Sequence, residues 1–134
     1  MVDLDLKPSD RASFEGSPFH PDLYSCGRGI KIAGGYMAFK VPAAPASQNF
    51  PNLVYEPKEA QTWPQSLDPA DYTAERAVSR AAEAGARCVK VFVESGFGIF
   101  KWPYLRIETL QQIRSAASKR NLVLMVHALS LIHI

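Results

Sequence analysis

The chain has 134 residues, 47% of them hydrophobic and 21% charged, with a net charge of +2. These values suit one small domain with a real core and exclude a disordered chain. They give no reason to expect nucleic acid or an anionic membrane as partner, and no stretch approaches the roughly 18 apolar residues of a membrane span.

The start, Met1-Val-Asp-Leu-Asp-Leu-Lys7, carries two early acids and no apolar run, which is unlike a signal peptide. If that start is genuine, a cytoplasmic location is expected. Most of the ten prolines precede Asp68. In this half, Asp22–Cys26 reads as a short strand closed by Gly27 and Gly29. An irregular run follows through Gly34-Gly35, Pro42, Pro45, Pro51 and Pro57, of a length uncommon in compact domains, which points to a functional loop or to a missing part of the fold. Cys26 and Cys88 are far apart and lack CxxC spacing. They are expected to be buried small hydrophobes, with neither a disulfide nor a thiolate zinc site.

The second half is regular. Asp68-Pro69 reads as an N-cap with Pro at the first helical position. Ala74, Ala77, Val78, Ala81 and Ala82 then form one apolar stripe, and Gly85 supplies the stop. Cys88–Val93 is a β-rich, almost wholly apolar run, as in a strand covered on both faces. Residues 94–106 read as a loop. A second helix is expected from Ile107 to Arg120, with Leu110, Ile113, Ala116 and Ala117 on one side and Asn121 as its end. Leu122–His127 is a further apolar strand. This helix–strand alternation is the signature of a parallel α/β sheet, and it does not by itself separate an open sheet from a barrel.

Two polar side chains interrupt the strands. Alternation puts Cys88, Lys90 and Phe92 on one face and Val89, Val91 and Val93 on the other, the all-valine face being suited to helix packing. An ammonium on the opposite face is costly unless it is paired, neutralised or modified. His127 ends the last strand, on the face of Val123 and Met125. Both lie toward the C-terminal strand ends, where parallel α/β proteins place their sites. The plainer alternatives are a lysine paired with a carboxylate and a histidine held by a structural hydrogen bond. In the loop, Glu94, Ser95, Lys101, Trp102, Tyr104 and Arg106 are candidates for substrate contact, and packing or capping explains them equally well.

The run Ala84-Gly-Ala-Arg-Cys-Val-Lys-Val-Phe-Val-Glu-Ser-Gly96 and the run Glu108–Ala128, ending Val-Leu-Met-Val-His-Ala, resemble the amidohydrolase superfamily. The resemblance is greatest to its imidazolonepropionase-like and prolidase-like branch. It implies an α/β fold, part of a (β/α)8 TIM-type barrel spanning residues 1–128, from about the second or third strand to the fifth. It also implies a hydrolase of C–N bonds in a small-molecule substrate, using one or two divalent ions with zinc expected. By position, Lys90 matches the often carboxylated, metal-bridging lysine and His127 a metal-ligating histidine. Leu23–Gly35 is similar to the third-strand segment, with Tyr36 where many members carry histidine.

The family's first-strand HxH pair, second histidine and late aspartate have no match here. His20, in Ser-Pro-Phe-His-Pro, reads as a loop residue. The chain is therefore expected to be a fragment, inactive alone. Residues 129–134 resemble adapter read-through, which would leave His133 without meaning. Two other readings stand beside the hydrolase: a different parallel α/β enzyme with Lys90 as a Schiff-base or phosphate-binding lysine, and a non-catalytic α/β piece with exposed strand edges.

Overall fold

The computed structural model describes residues 2–3, 8–19, 22–36 and 52–128. The expectations for His20, Pro42, Pro45, Pro51, His133 and the tail 129–134 fall outside these residues.

The described strands and helices are, in chain order, β1 (Val2–Asp3), α1 (Pro8–Glu15), β2 (Tyr24–Ser25), β3 (Ile30–Lys31), β4 (Asn52–Leu53), α2 (Ala74–Glu83), β5 (Cys88–Phe92), β6 (Gly96–Phe97), β7 (Phe100–Lys101), α3 (Ile107–Ser118) and β8 (Val123–His127). Four strands form a parallel sheet in the order β4-β3-β5-β8. The fold is thus α/β with a parallel sheet. In a barrel each strand lies between its sequence neighbours, whereas β4 here lies outside β3. The chain reverses direction across the sheet between β3 and β5.

The valine face behaves as its pattern demands. Val89 and Val91 are fully buried and pack in one cluster with Ala74, Ala77 and Val78 of α2 and Ile113, Ala116 and Ala117 of α3. Leu110 packs against this cluster while only partly buried. β8 lies at the edge of the described sheet, with Val123 62% and Val126 43% exposed, so it is not covered as a central strand would be.

Several boundaries differ from expectation for identifiable reasons. Asp68 does not cap α2. It caps a separate 3-10 turn, Pro69–Tyr72, through Ala70 N. The chain then extends at Thr73 (φ −68°, ψ 161°), whose hydroxyl accepts from Arg76 N at 3.3 Å and starts α2 afresh. Gly85 ends α2 as expected, at φ +77°, with Ala86 N bonded back to Ala81 O. α3 stops at Ser118, two residues early, before Asn121 takes a left-handed φ of 54°. Residues 94–106 are not plain loop. They contain the antiparallel β6–β7 hairpin, with Gly98 at φ +58° in its turn.

The first half holds elements its composition hid. β1 pairs in parallel with β2. A 3-10 segment runs Pro57–Thr62 after β4. Asn52 of β4 donates to Ala77 O, and Arg80 donates to Asn52 Oδ1 and Leu53 O at 2.9 and 2.8 Å, fixing this two-residue strand to α2.

The cysteine expectation is corrected. Cys26 and Cys88 are both buried, as supposed, but they form a disulfide across 62 residues. The pairing of the β2–β3 segment with β5 brings them together, with Arg87 N bonded to Ser25 O and Ile30 opposite Val91. Spacing along the chain carries no trace of that register.

Candidate functional site

β5 and β8 pair in parallel with Lys90 opposite Met125 and Phe92 opposite His127. Residues paired in register share a face, and so do alternate residues along a strand. Lys90, Phe92, Met125 and His127 therefore line the face turned away from α2 and α3. Alternation had put Lys90 with Cys88 and Phe92, and His127 with Val123 and Met125; the register of the two strands joins these into one face. Phe92 links them, with its ring 5.3 Å from Lys90 Nζ and 5.4 Å from the His127 ring.

Lys90 is only 8% exposed. Among the described residues no carboxylate lies within ion-pairing range of it. Burial pushes its amine below the ordinary lysine value, because the charged form loses water without a counter-ion. His127 is half-buried. Its Nε2 is enclosed and has no hydrogen-bond partner among the described residues. An imidazole nitrogen is a ligand type suited to zinc and similar ions.

Lys31 is a site residue the sequence reading missed. It is 4% exposed and places Nζ 5.1 Å from the Phe92 ring. Ile30 opposite Val91 puts Lys31 beside Phe92 on the same face. The signal was present: Ile30-Lys31-Ile32 repeats the Val89-Lys90-Val91 pattern, but the surrounding glycines read as loop. Gly29 is needed where it stands, since a Cβ there would meet Phe92 Cε2 at 2.7 Å and Lys90 Cγ at 3.4 Å.

Tyr36 stacks on His127, with centroids 5.1 Å apart and planes 13° apart, and lies 5.5 Å from Trp102. Tyr36 thus reaches this face as an aromatic cover on the imidazole. Trp102 Nε1 donates to Glu94 O at 2.6 Å, which ties the base of the β6–β7 hairpin to the end of β5. Glu94 is buried there, and its Oε1 accepts from Gly96 N.

Arg106 and Tyr104 serve the scaffold. Arg106 donates to Glu59 at 2.7 Å and to Tyr104 Oη at 2.6 Å. Its backbone N–H donates to buried Glu56, which also accepts from Lys58 N. These bonds join the start of α3 to the 3-10 segment after β4. Lys101 is exposed on β7.

Among the described residues, no group of three or more His, Cys, Asp or Glu side chains is placed to hold a metal ion. No described helix is long and apolar enough to cross a membrane. Comparisons with protein-family models, with curated proteins and with solved structures found no match.

Proposed function

We propose that this chain is part of a metal-dependent hydrolase of C–N bonds, of the amidohydrolase type, in which Lys90 and His127 are metal ligands. One observation carries the reading. A buried lysine without a carboxylate partner among the described residues shares a face with a buried, unpartnered imidazole nitrogen, both toward the C-terminal ends of adjacent parallel strands. β3, β5 and β8 would then be successive barrel strands, with β4 an extra pairing outside β3.

On this reading the lysine amine, held toward its neutral form, adds carbon dioxide to give an anionic carbamate with two oxygens. His127 presents Nε2, and Tyr36 holds the ring plane by stacking on it. The Phe92 ring lies between the Lys90 and His127 side chains. A divalent ion bound there, zinc by preference, would polarise the scissile carbonyl and lower the pKa of a water molecule. The remaining ligands would come from sequence outside residues 1–134.

The test is the reading frame that surrounds this sequence. It is expected to encode an HxH pair on an upstream strand and a later histidine and aspartate. In the protein expressed from it, Lys90→Ala and His127→Ala should each strip bound zinc, read by elemental analysis. Amide hydrolysis should fall by more than the roughly 10–100-fold that loss of an outer partner costs. A frame without the histidine pair, or variants that keep their metal, would falsify the reading.

The strand order favours one second reading. A reversal between β3 and β5 is the topology at which open α/β sheets bind ligands. Lys90 would then act as an amine nucleophile forming a Schiff base with a carbonyl substrate. Borohydride trapping of a carbonyl compound on Lys90 would favour this second reading over the metal one. The presence of His127 on the same face supports the metal reading.

A further inference from the structure

The Cys26–Cys88 disulfide has no part in the chemistry proposed above, yet it forms the floor of the Lys90 face. Cys88 precedes Lys90 by two residues on β5 and shares its face. Cys26 Sγ lies 3.6 Å from Met125 Sδ, and Met125 is the register partner of Lys90. Three sulfur atoms thus sit together on the face that carries Lys90.

The bond also sits where the strand pairing is weakest. Between the Arg87–Ser25 hydrogen bond and the Ile30–Val91 pair, the chain passes through Gly27, at φ +62°, Arg28 and Gly29. Gly29 backs directly on Lys90 Cγ and on the Phe92 ring. The Cα atoms of the two cysteines are 4.3 Å apart, closer than the roughly 4.8 Å between neighbouring strands. Two unbonded thiols need more room than a bonded pair, so cleavage lets the Gly27–Gly29 segment move away from β5.

The geometry points to a reversible dithiol–disulfide pair that controls access to Lys90. Bonded, Cys26 and Cys88 hold the glycine segment against Lys90 and keep its amine enclosed. Opened, they release the segment and expose the amine. This holds whatever chemistry Lys90 performs, and so does not rest on the hydrolase reading.

The step is a thiol–disulfide exchange with a dithiol. A thiolate of the reductant attacks the Cys88 sulfur, on the residue that is 6% rather than 0% exposed, and breaks its bond to Cys26. Cys26 leaves as a thiolate and takes up a proton. The second thiol of the reductant then closes on the first, freeing Cys88 as a thiol. The protein gains two electrons and two protons, and the reductant leaves as a cyclic disulfide.

The experiment uses the whole chain, oxidised with diamide and then reduced with dithiothreitol. Alkylation with iodoacetamide, followed by mass spectrometry, should find no adduct on the oxidised chain and two on the reduced one. Acetylation by a limiting acylating reagent at fixed pH is then mapped residue by residue. Reduction should raise labelling of Lys90 by about tenfold, the scale of a local opening. Exposed Lys119 should not change. The double variant Cys26→Ser/Cys88→Ser should match the reduced chain with or without reductant. Hydrogen exchange at Ile113 and Ala117 reports the core. Alkylation of both cysteines in the diamide-treated chain overturns the inference. So does unchanged Lys90 labelling on reduction. Loss of protection at Ile113 and Ala117 along with Lys90 also overturns it, since the bond would then be a staple for the whole fold.

Discussion

Lys90 is buried with its charge uncompensated by any carboxylate among the described residues. Its folded pKa is lowered, so the protonated form is penalised in the fold and not in the unfolded chain. That penalty is fully present below the folded pKa. It is relieved as pH rises through the folded pKa toward the ordinary lysine value near 10.4. Stability from this group therefore increases with pH over that window. Lys90→Met should be more stable than the parent at pH 7, with the difference shrinking toward pH 10. Denaturant midpoints of both proteins across that range measure it, and a difference independent of pH would contradict the assigned burial. The position of this residue was legible because strict alternation left no other face for it. The enclosure of Lys31 and the approach of Gly29 were not legible, because both depend on which strand lies beside β5.

At the scale of elements, the helices and the two long strands were readable because their signals are local. The alanine stripe of α2 and the Ile113, Ala116 and Ala117 side of α3 meet the Val89–Val91 face as their periods require. Ile113, fully buried at the centre of that contact, tests it. Ile113→Ala should cost about 2–5 kcal/mol in chemical denaturation, the range for truncating a large buried aliphatic side chain. A loss below about 1 kcal/mol would place α3 elsewhere. Boundaries were read less well, because a capping residue competes with its neighbours. Asp68 and Thr73 both carry N-cap chemistry five residues apart, and only the break between the 3-10 turn and α2 at Thr73 shows which of them starts α2. The β6–β7 hairpin escaped notice because its strands are two residues each, too short for alternation to register.

At the scale of the molecule, the parallel class of the sheet followed from the helix–strand alternation, while the strand order did not. Placing β4 outside β3 and joining Cys26 to Cys88 are decisions of non-local pairing, settled by packing between segments distant in the chain. The same separation governs how α1 is attached. Only Arg11 and Phe14 of that helix are even half-buried among its described side chains. Arg11 pairs with Glu15 at 2.9 Å and turns its guanidinium onto the carbonyl oxygens of Ala84 and Gly85, at the C-terminal end of α2. A cation meeting the negative pole of a helix dipole is favourable at low ionic strength and is screened by salt. Through Arg11 the amino-terminal helix thus has an electrostatic tie to a body held by apolar packing, and brine should loosen that tie first. Protease nicking near Arg11 should quicken in 1 M sodium chloride while residues 74–127 stay intact, and equal resistance at both salt levels would show a hydrophobic mooring.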